Sequence, residues 1–305
     1  MAVPTTTTTT EPAVVPEARR TPLRRRRTGS RARALRNNLI TIPILLVVGL
    51  VWIYPFLWTI SGAFKTQLGM FTGGASLIPD QLDLSNFRRA WVNAGFDRFF
   101  VNTVLYACVS TFIELVKSAL CGYVLARYDF PGRTFLYRLI VATLFIPVAS
   151  IIIPQFVLVQ QLGLLNTRAG VILAMSGAAG ALYVLLFVGF FASLPNDLFD
   201  AAKLDGAGFL RTFRIVLPLA RPVIAVVIIF QFISNWNEFN IPLVFTLGQP
   251  DLQNLAVGML SFKGEHSVDW SGFAAGMTIS FLPMLVVFLL FQSYFVRGLA
   301  GAIKG

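Results

Sequence analysis

Charge, cysteine and histidine are scarce in this sequence, and each scarcity rules something out. Only 13% of the 305 residues are charged, 56% are hydrophobic, and the mean hydropathy is +0.72. A soluble domain of this length carries roughly a quarter charged residues and cannot hide so much apolar surface. Lipid must therefore be the solvent for most of the chain. The two cysteines, Cys108 and Cys121, fall within one apolar segment, and His266 is the single histidine. That inventory supplies no metal site and argues against a disulfide framework. No stretch matches GxxxxGKS or GxxxxGKT, and no Gly-rich turn precedes a lysine, so nothing here cradles nucleotide phosphates. Nor is a nucleophile–base pair visible, which sets an enzyme aside.

The charge that is present is unevenly placed. A formal net charge of +11 would suit nucleic acid, but nine of the 25 Lys and Arg lie between Arg19 and Arg36, ahead of the first apolar run. Such a cluster reads as an orientation signal and a contact for anionic membrane lipid, and no nucleic-acid partner is expected. Residues 1–36 are too long, and too rich in Thr and Pro, for the n-region of a cleaved signal peptide. They are expected to form a disordered basic cytoplasmic tail, with Thr5–Thr10 a low-complexity tract.

A helix needs roughly 20 apolar residues to cross ~30 Å of hydrocarbon. Within 37–305, six windows reach that length, at about 39–60, 99–125, 135–158, 169–193, 219–241 and 272–296. The expected fold is an all-α membrane protein with six transmembrane helices. Eighteen basic residues fall on the side of the N-terminus, six fall on the other, and Lys117 lies within a span. By the positive-inside rule both termini are cytoplasmic, in a multi-pass protein of the plasma or inner membrane. The long connections Ser61–Arg98 and Pro242–Ser271 are expected to be ordered on the outer side, either as interfacial padding or as a docking surface.

The connection over 194–218 reads as a helix, a turn and a second helix. Asn196 or Asp197 can cap the first helix, and Asp197 and Asp200 suit the positive end of its dipole. Gly206 supplies the left-handed stop. In the second helix Phe209, Phe213 and Val216 or Leu217 recur at helical spacing, while Arg211 and Arg214 leave that side. Pro218 then resets the chain before the fifth span. The expected product is a knob in water with an apolar face that needs a partner. An ordinary amphipathic connector is the other reading.

Polar residues inside spans face the bundle or a wet cavity. Gln231, Ser234, Asn235 and Glu238 share one helical face, and with Gln155 they are candidates for a solute path. Their amides and carboxylate match the donors and acceptors of a sugar. The alternative is a stripe that packs against neighbouring helices. Gln160 and Gln161 are weaker path candidates. Glu114 and Lys117, at i and i+3 within the second span, are expected to form a structural ion pair. Pro147, Pro154 and Pro283 are expected to break the third and sixth spans.

Asp200-Ala-Ala-Lys-Leu-Asp-Gly206, followed by Ile215-Val-Leu-Pro218, resembles the EAA motif of binding-protein-dependent ABC importer permeases. Asp200 stands where that family has Glu, and the stretch from Gly206 to Pro218 is one residue shorter. Other segments resemble the carbohydrate-uptake permeases of the MalG type. These are Tyr54-Pro-Phe-Leu-Trp, Phe64-Lys-Thr, Asn86-Phe, Phe100-Val-Asn-Thr, Ala126-Arg-Tyr-Asp-Phe-Pro-Gly-Arg133, Trp236-Asn-Glu-Phe239 and Arg297-Gly-Leu-Ala-Gly-Ala-Ile-Lys-Gly305.

The resemblance implies a type I ABC importer permease architecture with a cytoplasmic coupling helix pair. It assigns ATPase coupling to Asp200, Ala201, Ala202, Asp205, Gly206, Phe209, Phe213, Ile215 and Pro218. It also implies three kinds of protein partner, beside the membrane lipid already read from the charge: a second, MalF-like permease subunit, two copies of an ABC ATPase and an extracytoplasmic solute-binding protein. ATP and Mg would be used by the ATPase, with no cofactor bound here. The implied cargo is a sugar or oligosaccharide. A polyamine or glycerophosphodiester, or an ion-coupled secondary transporter, are the alternatives.

Overall fold

The computed structural model of the protein describes residues 28–177, 180–264 and 267–302. Of the tail expected over 1–36, residues 1–27 lie outside the described residues, and 28–36 are helical. The chain divides into two units at Tyr54 and Pro55. The described part of the first unit is the leading stretch of α1 (Thr28–Gly62), which is apolar enough to cross a membrane from Thr41 onward. The second unit is a helical bundle, with no strand beyond one isolated bridge among the described residues.

Within the bundle, α2 (Phe96–Arg127) is a 32-residue helix, about 48 Å long at ~1.5 Å per residue. It starts after Gly95, whose φ of +78° turns the chain in, and ends at extended Tyr128, ahead of the Pro131–Gly132 turn. Then come α3 (Arg133–Thr143), α4 (Val148–Gln161), α5 (Arg168–Met175) and α6 (Ala181–Ser193). The short α7 (Asn196–Leu204) and α8 (Phe209–Val216) precede α9 (Arg221–Trp236), α10 (Asn240–Phe245) and α11 (Trp270–Ala302). α6 and α9 pack along α2. Gly122 sets the first of these contacts, because a Cβ there would stand 2.4 Å from the Phe187 Cβ.

Among the described residues, four helical runs are long and apolar enough to cross a membrane, Thr41–Gly62, Phe96–Arg127, Phe209–Trp236 and Trp270–Gln292, and the bent pair Ala181–Ser193 with Asn196–Leu204 would make a fifth. The windows expected as third and fourth spans are each split in two. Pro147, which has no N–H and disfavours helix at Ile146, separates α3 from α4. α5 ends at Met175 and α6 begins at Ala181, with Ser176, Gly177 and Gly180 outside both. The other two prolines do not break their helices as expected: Pro154 lies inside α4 and Pro283 inside α11. In the turn disturbed by Pro283, the Trp236 indole donates to the Ser280 carbonyl at 3.0 Å.

The long connections at the Phe96 end of α2 are ordered by side chains that reach backbone carbonyls. Asn86 Nδ2 donates to the carbonyls of Ala63 and Lys65, both at 2.9 Å. Arg89 grips Asp269 with two bonds of 3.1 and 3.2 Å. From α2, Asn102 donates to the carbonyls of Asp251 and Gln253, and Tyr106 to that of Leu252. Both connections are therefore tied to the bundle.

Candidate functional site

At the other end of α2, α7 and α8 form the knob expected over 194–218. α7 follows Pro195, and α6 and α7 meet at a 77° bend. The cap expected from Asn196 or Asp197 is not made, because the Asn196 Oδ1 accepts from Arg127 instead, at 2.7 Å. At the far end Gly206 adopts φ +70°, Gly206 N–H donates to the Lys203 carbonyl, and Ala207 N–H donates to the Ala202 carbonyl. This is the left-handed helix stop read from the sequence. A Cβ on Gly206 would meet nothing within 4 Å, so the backbone angle rather than space requires glycine.

The apolar stripe of α8 is not the exposed face expected of it. Tyr123, 1% exposed, is a hub for the knob: its ring lies 5.4 Å from that of Phe209, 5.3 Å from Phe213, 5.5 Å from Phe191 and 6.5 Å from Phe199. Phe213 packs inward, and Val216, Thr212 and Ala202 are buried. What the knob presents instead is Leu204, 90% exposed, with Leu210, Ile215 and the edge of Phe209. Ala201, Asp205, Gly206 and Pro218 are exposed around them. Asp200 pairs with Lys203 at 3.4 Å, an exposed contact worth little. Asp200 also borders a recess of about 420 Å³ between the knob and α2, lined by Tyr123, Arg127, Tyr128, Asn196 and Phe199.

Pro218 does not reset the chain as expected. The backbone stays helical from Phe209 to Trp236, tightening to a 3₁₀ turn over Leu217–Ala220. Pro218 sits at the start of that turn, where its missing N–H removes little. The second knob helix and the helix carrying the polar stripe are therefore one rod.

All five path candidates line one cavity of about 240 Å³: Gln155 from α4, Gln231, Ser234 and Asn235 from α9, and Glu238 just beyond it. Ala174, Met175 and Gly177, at the broken end of α5, close another side. Gln160 and Gln161 lie exposed at the end of α4, away from it. Asn235, 5% exposed, is locked from both sides: Gln231 Nε2 donates to its oxygen and its own Nδ2 donates to the Thr111 hydroxyl, both at 3.2 Å. Glu238 accepts the N–H groups of Asn240 and Ile241 at 3.0 and 3.1 Å, which caps α10. Thr111 was not singled out from the sequence. Its position one turn before Glu114 on the same face of α2 was the available signal.

Glu114 and Lys117 form their pair at 3.1 Å, and the pair spans the break between α5 and α6. Lys117 Nζ donates to the carbonyls of Ser176 and, at 2.6 Å, Gly177; Glu114 accepts the Gly180 N–H at 2.6 Å. Each charge thus meets the helix end of opposite polarity. Three backbone groups at the facing helix ends, the Ser176 and Gly177 carbonyls and the Gly180 N–H, are thus satisfied by side chains of α2.

Residues 118–301 match the family model described as binding-protein-dependent transport system inner membrane component. The diacetylchitobiose uptake system permease protein NgcG of Streptomyces coelicolor is 34% identical over 268 residues, 87% of each chain. The melibiose/raffinose/stachyose import permease protein MelC of Bacillus subtilis is 32% identical over 278 residues, covering 90% of this chain and 100% of that one. In fold, the chain is similar to a crystallised bacterial ABC transporter involved in import of the acidic polysaccharide alginate. The TM-score is 0.74 at 21% identity, over 88% of this chain and 98% of the other.

Proposed function

This chain belongs to the family of binding-protein-dependent transport system inner membrane components, and from that premise we propose how it moves its cargo. It is a multi-pass, non-catalytic permease subunit of an ABC importer for sugars or oligosaccharides. In our reading a second permease pairs with it, and an ATPase docks on the knob from the cytoplasm. A solute-binding protein delivers the sugar at the opposite face, where the connections over 63–95 and 246–269 lie. Both termini are then cytoplasmic. ATP and Mg are handled by the ATPase.

One observation supports this reading most directly: the knob helix α8 is continuous with α9, whose far end bears Gln231, Ser234 and Asn235. A push on Leu210 or Ile215 has a stiff route to the cavity wall. The cavity of about 240 Å³ is smaller than the roughly 300–1,000 Å³ of small-molecule sites. One subunit therefore supplies only part of the solute's enclosure, and the partner permease supplies the rest. An ion-coupled carrier fits less well, since the Glu114 carboxylate is held by Lys117 and the Gly180 N–H, and that of Glu238 by the two N–H groups that open α10.

The test uses vesicles holding the assembled complex with radiolabelled diacetylchitobiose, melibiose and raffinose. Uptake of at least one should stop on ATP depletion and survive an uncoupler. Uptake that collapses with the uncoupler while ATP remains would overturn the assignment.

A further inference from the structure

The two knob helices connect differently to the rest of the bundle. α8 runs on into α9 by backbone, whereas α7 meets α6 at a 77° bend across Leu194 and Pro195. The backbone bonds there, Leu194 N–H to the Phe191 carbonyl and Leu198 N–H to the Pro195 carbonyl, stay on either side of the bend, and such a bend transmits displacement poorly unless something bridges it.

Arg127, the last residue of α2, bridges it. Its Nε donates to the Phe191 carbonyl at 2.8 Å, one terminal nitrogen donates to Asn196 Oδ1 at 2.7 Å, and the other donates to the Leu194 carbonyl. Its guanidinium carbon also lies 3.9 Å from the centre of the Phe199 ring. One rigid, planar fork thus holds the end of α6, the bend and two residues of α7. A lysine at this position could not span those acceptors, because its donors radiate from a single nitrogen.

The middle of the same helix is bonded to a residue of the cavity wall. Sixteen residues before Arg127, or ~24 Å along α2, the Thr111 hydroxyl accepts from Asn235 of α9. Between them, Glu114 and Lys117 hold the broken end of α5 that forms the cavity's side. The two knob helices therefore lead by separate rods, α2 and α9, to one wall, where a hydrogen bond joins the rods.

We propose that Arg127 is a positioning residue for transport: it makes α7 move with α2, so that displacement of the knob by the ATPase reaches the cavity through both rods. This rests on the knob being the ATPase-docking element. A mere helix-end fastener would matter for assembly and stability. A mechanical tie matters for whether the cavity responds to nucleotide.

The experiment uses the full reconstituted complex in a Cys108→Ser, Cys121→Ser background with Ser234→Cys as reporter, since Ser234 is exposed in the cavity. Labelling by a membrane-impermeant maleimide is timed without nucleotide and after trapping with ATP and orthovanadate. With Arg127 present, trapping should change the labelling rate. In Arg127→Met that change should be lost although the ATPase still co-purifies and traps nucleotide, and Arg127→Lys should behave like Met rather than like Arg. Full nucleotide dependence in Arg127→Met overturns the proposal. So does failure of both variants to assemble with the ATPase, which would make Arg127 a folding residue. If the parent complex itself shows no change on trapping, the coupling reading fails first, independently of Arg127.

Discussion

Asn235 on α9 donates its amide to the Thr111 hydroxyl on α2 at 3.2 Å, with both residues more than nine-tenths buried. The bond joins the polar stripe of one helix to the long axis of another at the cavity wall. Removing only the acceptor strands a buried amide N–H, at a cost of about 1–3 kcal/mol. Thr111→Val, nearly equal in shape, should lower the melting temperature of the detergent-purified complex, and Thr111→Ser should restore most of the loss. A Thr111→Val complex that melts like the parent would show that this bond does not hold the wall together.

Gln231 and Ser234 present polar atoms to the cavity, while Asn235 is occupied in framing it. Losing one direct hydrogen bond to a passing sugar should cost about 0.5–1.5 kcal/mol, a several-fold fall in uptake. Gln231→Ala should show that fall in initial uptake rate, with the ATPase still attached. Equal uptake by mutant and parent would remove Gln231 from the path.

Much of this arrangement was legible in the sequence because it depends on period and inventory. The spacing of Gln231, Ser234, Asn235 and Glu238 placed them on one face, and the cavity collects them all with Gln155. The stop at Gly206 was legible because only a left-handed residue ends a helix that way. What could not be read was which neighbour each face meets. The Phe209–Phe213–Val216 stripe fitted a docking surface, yet Tyr123 and Phe191, far away in sequence, cover much of it. Likewise an apolar window gives length but not continuity, so the separation of α5 from α6, whose facing ends are held by charges on another helix, left no mark in the hydropathy.

The Glu114–Lys117 pair gives the next expectation. Lys117→Met would leave Glu114 a buried charge holding only the Gly180 N–H and would free two carbonyls; the cost is below the roughly 3–5 kcal/mol of breaking a fully buried pair, because Lys117 is only partly buried. Folded, monodisperse protein should fall sharply in Lys117→Met and recover in part when Glu114→Gln is added. A single mutant as abundant as the parent would mean that the break is supported by something else.

Gly206 separates backbone demand from steric demand. Since a Cβ there meets no atom within 4 Å, a substitution acts through the φ of +70° alone. Asn tolerates that conformation, whereas a β-branched side chain is strained by roughly 1–3 kcal/mol. Gly206→Asn should keep the ATPase bound and hydrolysis coupled to transport; Gly206→Val should lose coupling. If Gly206→Val retains transport-coupled hydrolysis, the knob is not the coupling element.

The exposed leucines give the most direct test of where the ATPase sits. Leu204 and Leu210 project from the knob at 90% and 59% exposure. Leaving such side chains in water forgoes burial worth about 1.5–3 kcal/mol each, which a docked partner would recover. Leu204→Asp with Leu210→Asp should therefore leave the permease folded, with a melting temperature near that of the parent subunit, while abolishing ATPase co-purification. Phe213→Asp is the contrast: it strikes the interior ring cluster and should lower folded yield before docking can be measured. Retention of the ATPase by the double leucine variant would move the contact off this face of the knob.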